Sequence, residues 1–412
     1  MYGNFLKNRS FFLYMLGQAV SSLGDGLYLV AFAWLSLELT NGKSIALGGI
    51  FSIYALGEII SGLISGPVVD RFSKRRLLIS IDLIRSMILA IVFLLVSSNI
   101  MTLPFLYVST FILSVLSPFF CRTEFAIVPL IVESKDLMKA NGLLLGSRKL
   151  MRILSPAIGG LLIRVFGMKI CFLSDTMSYL FSVLCVSLIV FDTRNMDEQK
   201  LTPKSLLRDL KSGYEIILRS RLLLIIAIYA ACINFFGAPI FPLLPIVSEK
   251  MSGGVSGYGL LISAMSLGLI VSSTLTIFLS RLLKCIRIML YGLIICAMAI
   301  LTIAIGRTFL LVIISCFFMG VGLNCTNLPI QTILQIILPS EKIGVVSGFV
   351  YTIAQIAMPI SMTLGGYLSQ LVRIETVFLG TGIVMLAGAT AGFFVPQFKN
   401  ELHTGIVTPI ST

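Results

Sequence analysis

The chain has 412 residues, 57% of them hydrophobic and 12% charged, with a formal net charge of +13 and a mean hydropathy of +1.02. Soluble globular chains have about a quarter of their residues charged, so this composition excludes a soluble enzyme or binding module and describes a polytopic membrane protein. A nucleic-acid reading needs the cations gathered on a soluble domain, and none exists here.

At the N-terminus, Lys7 and Arg9 precede an apolar run far longer than a signal-peptide core, with no small-x-small cleavage site to close it. It reads as an uncleaved first span with its N-terminus inside. Apolar runs fall at about 11–38, 45–69, 77–98, 103–131, 141–166, 169–191, 222–247, 256–279, 284–305, 308–337, 343–371 and 374–395. Each approaches or exceeds the roughly 20 residues that a helix needs to cross about 30 Å of hydrocarbon. The expected fold is therefore an all-α membrane protein of twelve transmembrane helices, with both termini on one side.

Charge assigns that side. Lys7 and Arg9, the turn from Arg71 to Arg76, Lys135 with Lys139, the segment 192–221, the turn through Arg281, Lys284 and Arg287, Lys342 and Lys399 all share it. Lys43, Lys169, Lys250, Arg307 and Arg373 lie opposite. About twenty of the 31 Lys and Arg thus stand against about six, which makes the rich side cytoplasmic. Attraction to anionic lipid headgroups is a second consequence.

Midway along the chain, residues 192–221 form the one sizeable piece outside the membrane. Thr202-Pro203 offers a helix start, and Leu206, Leu207, Leu210, Tyr214 and Ile217 recur at helical spacing opposite Lys204, Arg208, Lys211 and Arg219. This predicts an amphipathic helix on the cytoplasmic surface, serving as a plain linker or as a regulatory element. It separates a half at 1–191 from a half at 222–396, with a tail at 397–412.

The halves repeat. Asn141-Gly142 and Gly159-Gly160 match Ser347-Gly348 and Gly365-Gly366 at a constant offset of 206. The turn Arg71-Phe72-Ser73-Lys74 has a weaker echo in Arg281-Leu282-Leu283-Lys284. A repeat at half the chain length points to a transporter that binds its substrate between two six-helix halves near the midplane. Other chemistry is set aside. No G-x-x-x-x-G-K-[ST] serves ATP, and the lone His403 in the tail rules out a Ser/His/Asp set. The eight cysteines are scattered singly, without metal-ligand or C-x-x-C spacing, and read as small packing residues. No metal and no cofactor is expected.

Gly66, Asp70, Arg71, Lys74 and Arg75 follow the pattern G-x-L-A-D-R-x-G-R-K, with Ser73 at the second Gly. That pattern is the signature of the major facilitator superfamily, which the sequence resembles over essentially its whole length. Ser155, Pro156, Gly159 and Gly160 are similar to the G-P-x-x-G-G of its antiporter branch, with Ser155 at the first Gly. Gly17-Gln18-Ala19-Val20, Asp82-Leu83-Ile84-Arg85 and Ala357-Met358-Pro359-Ile360 look most like bacterial macrolide-efflux and related drug:proton antiporters. The resemblance implies the major facilitator fold, alternating access, export of an amphipathic organic compound in exchange for protons, and a bacterial cytoplasmic or inner membrane. It implies a monomer whose partners are a small-molecule substrate and membrane lipids. Related exporters of siderophores or lipids share the architecture, and a non-transporting receptor or scaffold of the same fold is the alternative of another class.

Ionisable groups at membrane depth cost a few kcal/mol, so each needs a reason to be there. Asp25, between Gly24 and Gly26, shares one helical stripe with Gln18 and with Ser21 or Ser22. It reads either as a proton carrier facing a water-filled cavity or as a fixed charge paired for packing. Glu58, beside Gly57, is a second candidate for proton coupling, or a neutral acid bonded between helices; Glu124 is a third. Arg148, Lys149 and Arg152 in the fifth span either pair with carboxylates such as Glu124 or bind an anionic substrate group. Gly66, Asp70, Arg71, Lys74, Arg75, Asp82, Arg85 and Arg122 are read as a conformational latch along the cytoplasmic ends, which by the resemblance stabilises the outward-facing state. In the second half Asn324, Asn327, Gln331 and Gln335 form an amide stripe, and Asn234, Phe235 and Phe236 precede Pro239, Pro242 and Pro245. Amides and aromatic rings together suit a large amphipathic ligand, so these residues are read as cavity lining.

Overall fold

The computed structural model describes residues 8–189, 221–337, 343–396 and 398. The amphipathic helix expected at 192–221 lies outside them apart from Arg221, as do Lys342, Lys399 and His403. The described backbone is helical throughout, without a strand: α1 (Arg9–Leu39), α2 (Ser44–Arg71), α3 (Lys74–Ser97), α4 (Leu103–Ile131), α5 (Leu137–Phe166), α6 (Lys169–Ser187), α7 (Arg221–Gly237), α8 (Ile240–Lys250), α9 (Gly254–Leu279), α10 (Cys285–Ile305), α11 (Phe309–Ile337), α12 (Ile343–Gln355), α13 (Met358–Leu371) and α14 (Ile374–Gly392). Among the described residues, eleven helical stretches are long and apolar enough to cross a membrane. α5, at 30 residues, is as long as any of them but for α1. Arg148, Lys149, Arg152 and Arg164 interrupt its apolar run, and it covers the expected fifth span.

Local chemistry explains the ends and breaks. Asn8 caps α1, its Oδ1 accepting from the amides of Ser10 at 3.1 Å and Phe11 at 3.2 Å. Its Nδ2 donates to the carbonyl of Ile131 at 2.9 Å, tying the start of α1 to the end of α4. Asn41 and Gly42 both take positive φ in the tight turn into α2. The span expected at 222–247 breaks at Pro239 into α7 and α8, and the one expected at 343–371 breaks before Met358-Pro359 into α12 and α13.

The chain forms two compact units. One comprises Met1–Gly42, Ile53–Leu201 and Ser252–Ser263; the other comprises Lys43–Ser52, Thr202–Met251 and Ala264–Thr412. In the first, α1 packs on α5 and α6, and α3 packs on α4 and α6, around Phe11, Tyr14, Leu78, Ile81, Ile127 and Leu144. In the second, α10 packs on α11 and α14. Gly292 lies 2.7 Å from the side chain of Cys325, measured from where its own Cβ would stand, and Gly322 is equally close to Cys296. All eight cysteines are free, and these two fill the seam of a close helix crossing as small residues.

Candidate functional site

The first unit holds a column of buried polar groups. On α1, Gln18 and Ser21 are buried, Ser22 is half-buried and Asp25 is exposed. Gly17 admits Cys185 and Ser182 of α6 against the helix, and Gly24 admits Asp175 and Ser178. This approach lets the Tyr179 hydroxyl donate to Asp25 Oδ1 at 2.5 Å. The guanidinium of Arg85 lies 5.6 Å from the Tyr179 ring centroid and 4.6 Å from that of Phe120, and 4.0 Å from Asp82 Oδ1. Farther along, Arg148 donates to Glu124 at 2.5 Å, with the Glu124 side chain only 4% exposed.

Much of this column is unsatisfied. Among the described residues, nine buried side-chain polar atoms lack a hydrogen-bond partner: Tyr14 Oη, Gln18 Nε2, both oxygens of Asp82, Thr110 Oγ1, Glu124 Oε1, Arg148 Nε, Asp175 Oδ2 and Ser182 Oγ. All belong to α1, α3, α4, α5 and α6. Orphaned buried polar groups cost about 1–3 kcal/mol each unless water or a proton meets them. This arrangement suits internal water and proton exchange.

The residues singled out from the sequence fall into separate places. Glu58 accepts from Tyr54, one turn back on α2, at 3.2 Å, while Gly57 packs on Ser114 and the carbonyl of Phe111. The residues read as a latch divide into two groups. At the turn, Lys74 donates to the carbonyls of Val69 at 2.7 Å and Phe72 at 3.4 Å, Arg75 donates to the carbonyl of Ser187, and Arg122 donates to that of Gly62 at 2.7 Å. The same Arg122 guanidinium fills the space beside Gly66 that a side chain would need. The side chains of Asp70 and Arg71 lie outside those described. Asp82 and Arg85 sit about 12 Å or more farther along α3 by helix rise, inside the polar column. Asp175, an ionisable residue inside the sixth apolar run, is given no role by the sequence. Tyr179, four residues on, escapes it; the pair's helical spacing facing the Gly17 and Gly24 side of α1 is the signal that finds them.

In the second unit Asn234 Nδ2 donates to the carbonyl of Ala354 at 3.0 Å and Asn324 Nδ2 to Ser273 Oγ at 3.2 Å, while Asn327, Gln331 and Gln335 are exposed on α11. Phe235 and Phe236 meet edge to face, centroids 5.2 Å apart. Asn234, Phe241, Met319, Met358 and Met385 line a small, largely apolar hollow.

The family profile described as Major Facilitator Superfamily matches residues 14–362. The chain belongs to the major facilitator superfamily. Macrolide efflux protein A of Streptococcus pyogenes is 22% identical over 386 residues, 91% of this chain and 93% of that protein. The multidrug efflux pump Tap of Mycolicibacterium fortuitum is 22% identical over 399 residues, 95% and 97% of the two chains. Among solved structures, the nucleoside transporter NupG superposes with a TM-score of 0.78 at 11% identity, covering 93% of this chain and all of that one. Major facilitator proteins are transporters rather than enzymes, and this chain is a multi-pass membrane transporter of that fold.

The Ser155–Gly160 motif of this major facilitator protein makes close helix contacts within the first unit. Ser155 meets α1 at Gly26. The carbonyl of Pro156 faces Gly259, and Gly160 lies 2.8 Å from the Val255 carbonyl by the same Cβ measure. The amide of Ala157 donates to Ser263 Oγ at 3.0 Å, and Ser256 donates to the Gly160 carbonyl at 3.0 Å. The second unit repeats the pattern. The carbonyl of Met362 faces Gly48, Gly366 lies against Ser44, and Ser52 Oγ bonds to the Pro359 carbonyl at 2.5 Å and to Thr363 Oγ1 at 2.8 Å.

Proposed function

We propose that this transporter exports an amphipathic, drug-like organic compound in exchange for protons by alternating access, in a bacterial cytoplasmic or inner membrane with both termini in the cytoplasm. The observation that carries the reading is Asp25. It is an exposed carboxylate in the middle of α1, hydrogen-bonded to Tyr179 and backed by a column of unsatisfied polar groups. A group that must take up and release a proton needs both water access and a partner that stabilises its charged form. Efflux direction and substrate class draw support from the macrolide and multidrug efflux relatives. Amides, paired Phe rings and methionines in the second unit suit a partly apolar ligand. The proton gradient supplies the energy, with no cofactor; the protein acts as a monomer among membrane lipids, and nucleic acid is no partner.

A second reading, export or flipping of an anionic lipid or siderophore, is favoured by one observation. Arg152 is exposed on α5 and makes no ion pair among the described residues, whereas Arg148 is spent on Glu124. The experiment that separates the readings follows a macrolide, a cationic dye and an anionic lysolipid in proteoliposomes carrying an imposed proton gradient. Movement of the macrolide or dye with the gradient is the expected result. Movement of the lysolipid alone, lost in Arg152→Gln, would replace the first reading by the second.

A further inference from the structure

The unpartnered atoms of the first unit follow an order. α1 and α6 run antiparallel, so that Gly17 meets Ser182 while Gly24 meets Asp175 and Ser178. Asp175 therefore lies beside the residue next to Asp25, at the same depth, but where Asp25 is exposed Asp175 is fully buried. Its Oδ1 accepts from the Ser178 hydroxyl at 3.1 Å, and no donor faces Oδ2. The cation on this side, Arg85, is set over the rings of Phe120 and Tyr179 and beside Asp82. The other titratable groups near enough to act electrostatically on Asp175 are Asp25 and Tyr28 of α1, Asp82 of α3, and Cys171 and Tyr179 of its own helix. α5 reaches α6 there with the Gly159 carbonyl, which accepts from Cys171. An ionised carboxylate at this position would be a buried charge without a partner, next to a second carboxylate. A carboxylic acid there is neutral, and its O–H turns the orphaned oxygen into a donor.

We propose that Asp175 is a resident acid: it keeps its proton through the transport cycle and thereby confines the exchanging charge to Asp25. This rests on the proton-exchange reading and deepens it by separating two roles. Asp25 takes a proton from hydronium in the cavity, leaving water and a carboxylic acid, and returns it to water later. Asp175 exchanges nothing, and acts as a positioning residue by packing α6 against Gly24 of α1, one residue from Asp25.

The test uses the full-length protein in lipid, with infrared spectroscopy of the carboxylic-acid band and gradient-driven substrate flux against pH. Wild type is expected to show an acid band that persists at neutral pH. Asp175→Asn, an uncharged donor of the same shape, is expected to lose that band while keeping flux within about twofold and the same pH midpoint. Asp175→Ala, which removes the donor, is expected to lose flux about tenfold. No persistent band in wild type would overturn the proposal without using a variant. A midpoint moved by a pH unit or more in Asp175→Asn would overturn it as well, because a charge would then have been removed. Wild-type flux indifferent to the gradient would overturn the exchange reading beneath it, an outcome distinct from either of these.

Discussion

Arg148 and Glu124 show how a single pair can be legible from the sequence in chemistry and not in consequence. Three cations in the fifth span have to find partners, and the structure gives one of them to the carboxylate named as a candidate. Breaking a buried pair from one side leaves the other charge exposed to a low dielectric, at a cost of about 3–5 kcal/mol; here Arg148 is 31% exposed, so the lower end applies. Arg148→Met is expected to lower the melting temperature in detergent by several degrees, and the double variant with Glu124→Gln to recover most of the loss. Equal melting of both variants would show that the pair contributes nothing. Tyr179 was not legible in this way, since a tyrosine in an apolar run reads as packing until Gly24 brings α6 against α1. Its hydroxyl donates to Asp25 Oδ1, so Tyr179→Phe, which removes that bond, is expected to lower gradient-driven flux several-fold with substrate binding retained. Unchanged flux would remove the hydrogen bond from the mechanism.

At the scale of elements, α2 and α9 stand apart from the rest because each is divided between the two units. The first residues of α2 cluster with the second unit and its remainder with the first, and α9 does the reverse. The contacts are matched in register: Gly48 and Gly259, Ser52 and Ser263 are 211 positions apart, and their partners Met362 and Pro156, Thr363 and Ala157 are 206 apart. The sequence displays the offset of 206 through the glycines of the fifth and eleventh spans. It hides the offset of 211, because two glycines and two serines in apolar helices carry no periodic signal of their own. A carbonyl facing each of Gly48 and Gly259 leaves no room for a side chain. Gly259→Val is therefore expected to force the start of α9 off α5 and cut transport at least tenfold, whereas Ser263→Ala loses one hydrogen bond worth about 1 kcal/mol and keeps most of the flux. Cysteine cross-linking across the α5 and α9 contact checks both, and undiminished cross-linking in Gly259→Val would contradict the packing described here.

For the whole molecule, hydropathy and the two-half repeat were enough to anticipate the fold, because lipid forces every spanning segment to be a helix of bilayer length. The chemical asymmetry between the halves was visible too, since membrane-depth carboxylates crowd the first half and amides the second. What the sequence could not supply was pairing across helices, which depends on where small residues let two backbones approach. The topology assigned from Lys and Arg predicts that a single cysteine placed at Arg76 in a cysteine-free background reacts with a membrane-impermeant thiol reagent only from the cytoplasmic side; labelling from outside would invert it. The proposal that joins residue, helix and molecule is the exchange of substrate for a proton carried by Asp25. Its most direct measurement is proton release, followed with a pH-sensitive dye in weakly buffered detergent, when a transported macrolide or dye is added to wild type and to Asp25→Asn. Wild type is expected to release protons and the variant none, with binding retained in both. Binding without proton release in wild type, or equal release from Asp25→Asn, would contradict it.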